Sequence, residues 1–314
     1  MATLKDIAEA TGVSVRTVTR ALGENGYVKA ELRDRIRGTA KNLGYMPDPI
    51  AQSLRLGRTR EVVVIATTVD ELHMARIAGL EHSLRDEHYI TGMLMVRESD
   101  ITSPDALIEE LRRRRPAAVA IAARLGLQVQ GLVAGLLRDG VKAVAIDTDV
   151  AVPAVRIDRS AGVAEAARYL LESGRRKIVY VGPVHSRERI DGYEQALGDA
   201  AIEPQIFTPP ADRRQAISEL FTRHPTIEAI QAYSDQWALE LLAGLHDAGI
   251  RVPDDVALIG FDDRWAARFA WPALTTVAQP SRQVGAAAAR FLADGQRQMC
   301  DEWIPARLVI RESA

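Results

Sequence analysis

From Val62 onward the chain repeats one kind of unit, and that repetition limits the available folds more than any other feature. Short, strongly apolar runs alternate with longer helical stretches: VVVIATT (62–68), GMLMV (92–96), AAVAIAA (117–123), KAVAID (142–147), KIVYVG (177–182), AIQAY (229–233) and VALIGFDD (256–263). A strand that is apolar throughout must be covered on both faces, and helices between strands provide that cover. The pattern therefore predicts a parallel sheet with right-handed crossovers. So many units exceed one simple open sheet, so two similar α/β lobes are expected. Ligands of such sheets bind beyond the C-terminal strand ends, here in a cleft between lobes.

The first sixty residues have a different texture. TLKDIAEATGVSVRTVTRALG (3–23) reads as two short helices across a tight turn. Thr3 is a candidate N-cap with Asp6 three residues on, close to a capping box. Leu4, Ile7, Ala8 and Thr11 recur at helical spacing, and Gly12 breaks the helix. Ser14 caps the next helix, and Gly23 ends it. Two short helices about a glycine turn are the helix-turn-helix pattern. A third helix, KAELRDRIRGTAKNLGY (29–45), carries Leu32, Ile36, Ala40 and Leu43 on one side and completes a small core. Pro47 and Pro49 then stop it, and residues 49–56 have room for one or two helical turns, too few to be stable alone. The expected organisation is a helix-turn-helix domain at 1–46, a linker at 47–60 and a core at 61–314.

Charge separates these parts. Residues 1–60 hold 11 Lys and Arg against 6 Asp and Glu, whereas the remaining residues hold 29 against 36. A small basic head on an acidic body suggests that the head alone meets a polyanion. The single Cys300 excludes an internal disulfide and a paired-cysteine metal site, and no metal or cofactor is expected. No signal peptide and no membrane-length apolar run is visible, so a cytoplasmic protein with no membrane partner is expected.

Taken together, these residues resemble the LacI/GalR (lactose-repressor) family of bacterial transcription regulators over essentially the whole chain. TLKDIAEATGVSVRTVTRAL is similar to the family's opening helix-turn-helix, and GYMPDPIAQSLRLGRT to its hinge. VRIDRSAGVAEAARYLLESGRRKIVYVGP, GIRVPDDVALIGFDD and PALTTVAQP are similar to stretches of its core. The resemblance implies an α/β fold class: an N-terminal three-helix helix-turn-helix domain, a hinge helix, and a two-lobed core like a periplasmic sugar-binding protein, with parallel sheets. It implies three crossings between lobes, near Asp158, Ala278 and Met299. Lobe 1 would comprise about 61–158 and 279–299, and lobe 2 about 159–278 and 300–314. It also implies a homodimer on a roughly palindromic double-stranded operator, with a small molecule in the cleft altering DNA affinity.

On the DNA side, Val13, Val18 and Leu22 would dock the second helix on its own domain. Arg16, Thr17, Thr19 and Arg20 would face outward. Arginine pairs with guanine O6 and N7 in bidentate fashion, and the hydroxyls of Thr3, Ser14, Thr17 and Thr19 suit phosphates. The alternative is a solvated charged face. Pattern alone would bury Val15, but the resemblance places Val15 and Arg16 at the base-choosing positions, so Val15 is expected exposed against a thymine methyl. It assigns Arg20 a guanine. In the hinge it gives Leu54 the role of a minor-groove wedge, the alternative being a leucine packed on the core. Ala51 would pack close to the groove one turn earlier, with Arg55 and Arg58 near phosphates.

For the cleft, the resemblance points to His73 and Met74 after the first strand, where the family's common aromatic residue is missing. It points to Arg189 in RERIDGY, or to Arg187 if the loop, about three residues short, shifts the alignment. It points also to Asp235, behind Ser234 in place of the usual Asn, and to Asp262 in IGFDD. Arginine and aspartate together bind sugar hydroxyls, which donate and accept at once. Trp237 and Trp265 follow these loops and would stack on a sugar ring or pack in the core. The alternative for the two aspartates is helix capping after a strand. The function expected is a sequence-specific repressor controlled by a sugar or sugar derivative. The alternatives are a nucleobase, nucleoside or other non-sugar effector, a cytoplasmic sugar-binding protein, or an enzyme. The chain has no GxSxG, P-loop, HExxH or post-strand GxGxxG, which argues against an enzyme.

Overall fold

The computed structural model of the chain describes residues 2–23, 27–45, 59–96, 104–122, 129–210, 216–293 and 301–314. Ala51, Leu54, Arg55 and Arg58 lie outside the described residues, as does Met299. The chain divides into two compact units, residues 1–60 and 61–314.

The smaller unit holds α1 (Leu4–Thr11), α2 (Val15–Leu22) and α3 (Ala30–Asn42). Local chemistry sets its boundaries. The Thr3 hydroxyl accepts the Asp6 amide while the Asp6 carboxylate accepts the Thr3 amide at 2.7 Å, a complete capping box. Gly12 closes α1 at a φ of 68°, a left-handed conformation open to glycine at little cost. The Ser14 hydroxyl then accepts the Thr17 amide and opens α2. Ile7, Ala8, Val18, Ala21, Ile36 and Ala40 form the core, and Val13, Leu22 and Leu32 pack at its rim.

In the larger unit, one sheet runs in the order β11-β5-β4-β3-β1-β2. Its strands are β1 (Glu61–Ala66), β2 (Ile90–Met95), β3 (Ala118–Ile121), β4 (Lys142–Ile146), β5 (Ala154–Asp158) and β11 (Glu302–Pro305), all parallel. The second sheet runs β12-β10-β9-β8-β6-β7. It contains β6 (Ile178–Val181), β7 (Gln205–Phe207), β8 (Ala229–Ala232), β9 (Ala257–Asp262), β10 (Thr275–Ala278) and β12 (Arg307–Val309). Only β12 is antiparallel to its neighbour. Each lobe thus places its first strand between its second and third, the doubly wound order whose switch point lies beside the first strand.

Lobe 1 carries α4 (Glu71–Asp86), α5 (Pro104–Arg114), α6 (Val129–Arg138) and α11 (Ser281–Ala293). Lobe 2 carries α7 (Arg159–Glu172), α8 (Arg187–Asp199), α9 (Ile217–Arg223) and α10 (Asp235–Asp247). The chain passes between lobes after Asp158, after Ala278 and at Ala306. The third crossing therefore differs from the expected Met299. Residues 302–305 still belong to lobe 1, because β11 pairs in parallel with β5 before the chain turns into β12.

Helices α4 and α11 pack closely at Gly285, where a Cβ would collide with the Arg76 carbonyl oxygen. Among the described residues no helix is long and apolar enough to cross a membrane.

Candidate functional site

On the outer side of α2, Val15, Arg16 and Arg20 are exposed, Val15 at 43%, while Val18 and Ala21 are fully buried. Ser14 opens the helix one residue before Val15, so the first turn presents Val15 and Arg16 side by side. Thr17 and Thr19 are half-buried rather than fully outward. Their hydroxyls are also engaged: Ser14 and Thr17 hydroxyls share a hydrogen bond of 2.9 Å, and Thr19 donates to the Val15 carbonyl at 2.8 Å. A hydroxyl has one proton, so Thr19 would have to release that bond before donating to a phosphate. The Thr3 hydroxyl is likewise directed to Asp6 at 3.0 Å.

The cleft lies where the two sheets present their C-terminal strand ends, with a volume of about 370 Å³. From lobe 1 come Asp70, His73, Arg76 and Asp147; from lobe 2 come Arg159, Arg189, Trp237, Asp262 and Arg264; Gln279 sits at the second crossing. Arg189 is held between two rings, its guanidinium carbon 4.1 Å from the Tyr233 centroid and 4.2 Å from that of Phe261. Its Nη1 donates to the Tyr233 carbonyl at 2.6 Å and its Nη2 lies 3.7 Å from Asp262. Asp262 also accepts Gln279 Nε2 at 2.5 Å and lies 3.6 Å from Arg264. Arg187, the other candidate in that loop, pairs instead with Asp191 on the exposed side of α8.

Asp147 joins two arginines, one from each lobe. It pairs with Arg76 at 2.8 Å and with Arg159, and accepts the Ile157 amide at 3.3 Å. Burial would raise its carboxyl, but the two arginines outweigh it and the carboxyl titrates below the ordinary range. Asp70 caps α4, accepting the His73 amide at 2.9 Å and contacting its Nδ1 at 2.7 Å. These bonds, with Arg264 at 3.1 Å, overcome the effect of burial and hold Asp70 well below the usual carboxylate range. Because Asp70 belongs to lobe 1 and Arg264 to lobe 2, that pair bridges the cleft. The Trp265 amide donates to Glu71 at 3.0 Å in the same way.

Three expected ligand contacts lie elsewhere. Asp235 is fully buried behind the strand ends, accepting the Thr276 hydroxyl at 2.5 Å and the Arg264 amide at 2.7 Å. Gly260 leaves the space for its carboxylate, which a Cβ there would strike. Burial pushes the Asp235 carboxyl up to about 7 against these two bonds. Its role is to position the 262–264 loop. The Trp265 side chain, 66% exposed, packs against Phe269 at 5.9 Å, outside the cleft lining. Met74 also points away from the lining, because the turn of α4 that brings in His73 and Arg76 carries it outward. Sequence reasoning missed Asp70, Arg76, Asp147, Arg159, Arg264 and Gln279. For Asp147 the available signal was a polar residue directly following an apolar run, in KAVAID.

Residues 3–48 match the family model for bacterial regulatory proteins of the lacI family, and residues 167–314 match that for a periplasmic binding protein-like domain. The chain is 28% identical to the HTH-type transcriptional repressor PurR of Mannheimia succiniciproducens, over 100% of this chain and 98% of that protein. It is 26% identical to a ribose operon repressor of Halalkalibacterium halodurans, over 100% and 97%. A lac repressor dimer bound to operator and the anti-inducer ONPF shares the fold at a TM-score of 0.74 and 23% identity, over 99% of this chain and 98% of that one.

Proposed function

The chain belongs to the LacI family of DNA-binding transcriptional regulators, and from that premise we propose that it is a repressor whose operator affinity is set by a small polyhydroxylated metabolite, a sugar or sugar derivative, in the interlobe cleft. One observation carries the ligand reading. Arg76 and Asp147 of one lobe converge with Arg189 and Asp262 of the other on a single cavity. Paired guanidinium and carboxylate groups suit hydroxyls, and Trp237 adds a ring to the lining. That a relative is named a ribose operon repressor agrees with this class.

A ligand gripped from both sides favours one lobe orientation over another, and only such differential binding shifts an equilibrium. The operator reader is a homodimer. Exposed Ile90, Met93 and Met95 on edge strand β2, with Phe269 and Trp271 of lobe 2, offer the apolar surface for a second copy. Two copies related by a two-fold axis read a palindrome, on DNA in the cytoplasm.

The test is reciprocity. Ligand and operator must alter one another's affinity by one common factor, typically about 5–150-fold. Titrating ligand with and without operator at fixed salt measures it. Identical ligand affinities in both titrations would remove the allosteric reading.

A further inference from the structure

The cleft carries a charge of its own. Among its described lining residues, four guanidinium groups (Arg76, Arg159, Arg189 and Arg264) face three carboxylates (Asp70, Asp147 and Asp262). The imbalance has a location. Arg189 and Arg264 are matched by Asp262 and Asp70. Of the lining carboxylates, Asp147 alone serves both Arg76 and Arg159. Glu188 also reaches Arg159, at 3.4 Å, but is 42% exposed and outside the lining.

Arg76 has donors to spare. It is 6% exposed, and both its contacts, with Asp147 and Gln279 at 2.8 Å, run through Nη2. Its Nε is buried without a hydrogen-bond partner. Leaving such a donor unpaired is costly, more so on a charged group. The α4 backbone that carries it is held against α11, the Arg76 carbonyl standing where a Cβ on Gly285 would lie. Burial accordingly works against its charge and is only partly offset by Asp147. An arginine keeps its proton under these conditions, and an anion supplies at once the two things it lacks, an acceptor for Nε and a balancing charge.

Resting on the cleft as the effector site, we infer that the effector is itself anionic: a polyhydroxylated metabolite bearing a carboxylate or phosphate. Arg76 and Arg159 take the acid group above Asp147, while Asp262 and Asp70 take hydroxyls. A neutral sugar leaves the charge of the Arg76–Asp147–Arg159 group uncompensated and is discriminated against.

Thermal-shift titration of the full chain tests this with sodium gluconate, glucose 6-phosphate, inorganic phosphate and glucose, all at matched ionic strength against chloride. At least one of the three anions should raise the wild-type Tm while glucose does not. Whether gluconate or glucose 6-phosphate acts identifies the acid group. Arg76→Gln should weaken anion binding about tenfold or more, and Arg76→Lys should retain part of it. Should Arg76→Gln not fold, the wild type alone decides, because affinity for an anion falls as sodium chloride is raised. A wild type that responds to no anion in the set, or to glucose as strongly as to its acids, overturns the inference, as does undiminished anion binding by folded Arg76→Gln. Operator binding separates the two proposals. An anion that binds here without moving operator affinity leaves this inference standing and removes the allosteric one; a neutral sugar that moves operator affinity does the reverse.

Discussion

Asp147 and Asp262 stand in matching places in the two lobes. Each lies at the C-terminal end of its lobe's fourth strand, each takes a positive φ (53° and 116°), and each turns its carboxylate toward arginines of the shared cleft. For a residue with a side chain such a backbone costs on the order of 1–3 kcal/mol, and it persists only where the surroundings enforce it. Here the surroundings are the arginines. Asp263, next in the chain and also at positive φ (51°), is clamped by Arg311. The two lobes thus spend backbone strain at equivalent positions to aim one carboxylate each.

The two aspartates should respond differently to truncation. Asp147→Ala would leave Arg76 and Arg159 facing one another in a buried site, with an expected loss of about 3–5 kcal/mol in urea unfolding. Asp262→Ala removes a carboxylate whose arginines stand farther off, at 3.7 Å and 3.6 Å, so stability should fall less and ligand response should fall more. A loss at Asp147 below about 1 kcal/mol would mean that its pairs behave like surface ion pairs.

Arg16 is exposed in the first turn of α2 beside Val15. If it reads a base edge, Arg16→Ala costs about 1–3 kcal/mol on the preferred operator and relaxes preference at one symmetric pair of positions. Fluorescence anisotropy over an operator set measures both. A uniform loss across all sequences would make Arg16 a phosphate contact instead.

Leu54, in the hinge, is expected to wedge the minor groove. Leu54→Ala should reduce operator bending in a gel-shift or fluorescence assay, because unstacking a base step needs an apolar side chain to replace the lost contact. Unchanged bending would assign Leu54 to packing within the protein.

Asp235 links stability to pH. Its folded carboxyl titrates at about 7, above its ordinary 3.8, so the folded state holds a proton that the unfolded chain has released. Its contribution is complete below the unfolded value and is lost as pH rises through the folded one. Asp235→Asn, neutral throughout and able to serve Thr276 and the Arg264 amide, should flatten this slope. The Tm difference between variant and wild type should therefore shift in favour of the variant between about pH 4 and pH 8. A difference constant across that range would mean that Asp235 stays ionised when buried.

The head domain was readable from sequence because its determinants are local. Thr3 with Asp6, Ser14 with Thr17, and Gly12 at its turn act across four residues or fewer. The long apolar strands were readable for a related reason: β1, β3, β4, β6, β8 and β9 lie inside their sheets, and burial on both faces writes a continuous apolar run. The edge strands EWIP and RLV carry no such run, and only pairing with β5 and β10, distant in the chain, makes them strands.

The cleft divides along the same line. His73, Arg189 and Asp262 were named on resemblance, Trp237 from its place after a loop, and all four reach the cavity. The charge network around them was not, because its partners are far apart in the chain: Arg76 meets Gln279 across 203 residues, and Arg264 meets Asp70 across 194. Asp235 and Asp262 show what sequence leaves undetermined. Each is an aspartate at or just beyond the end of a strand, yet one lines the cleft and the other is buried behind it. The difference is steric: Gly260 leaves a gap beneath β9 that receives the Asp235 carboxylate, while the left-handed backbone at Asp262 turns its own carboxylate outward. Sequence determined which residue types stand at the strand ends; tertiary packing decided which of them line the cleft.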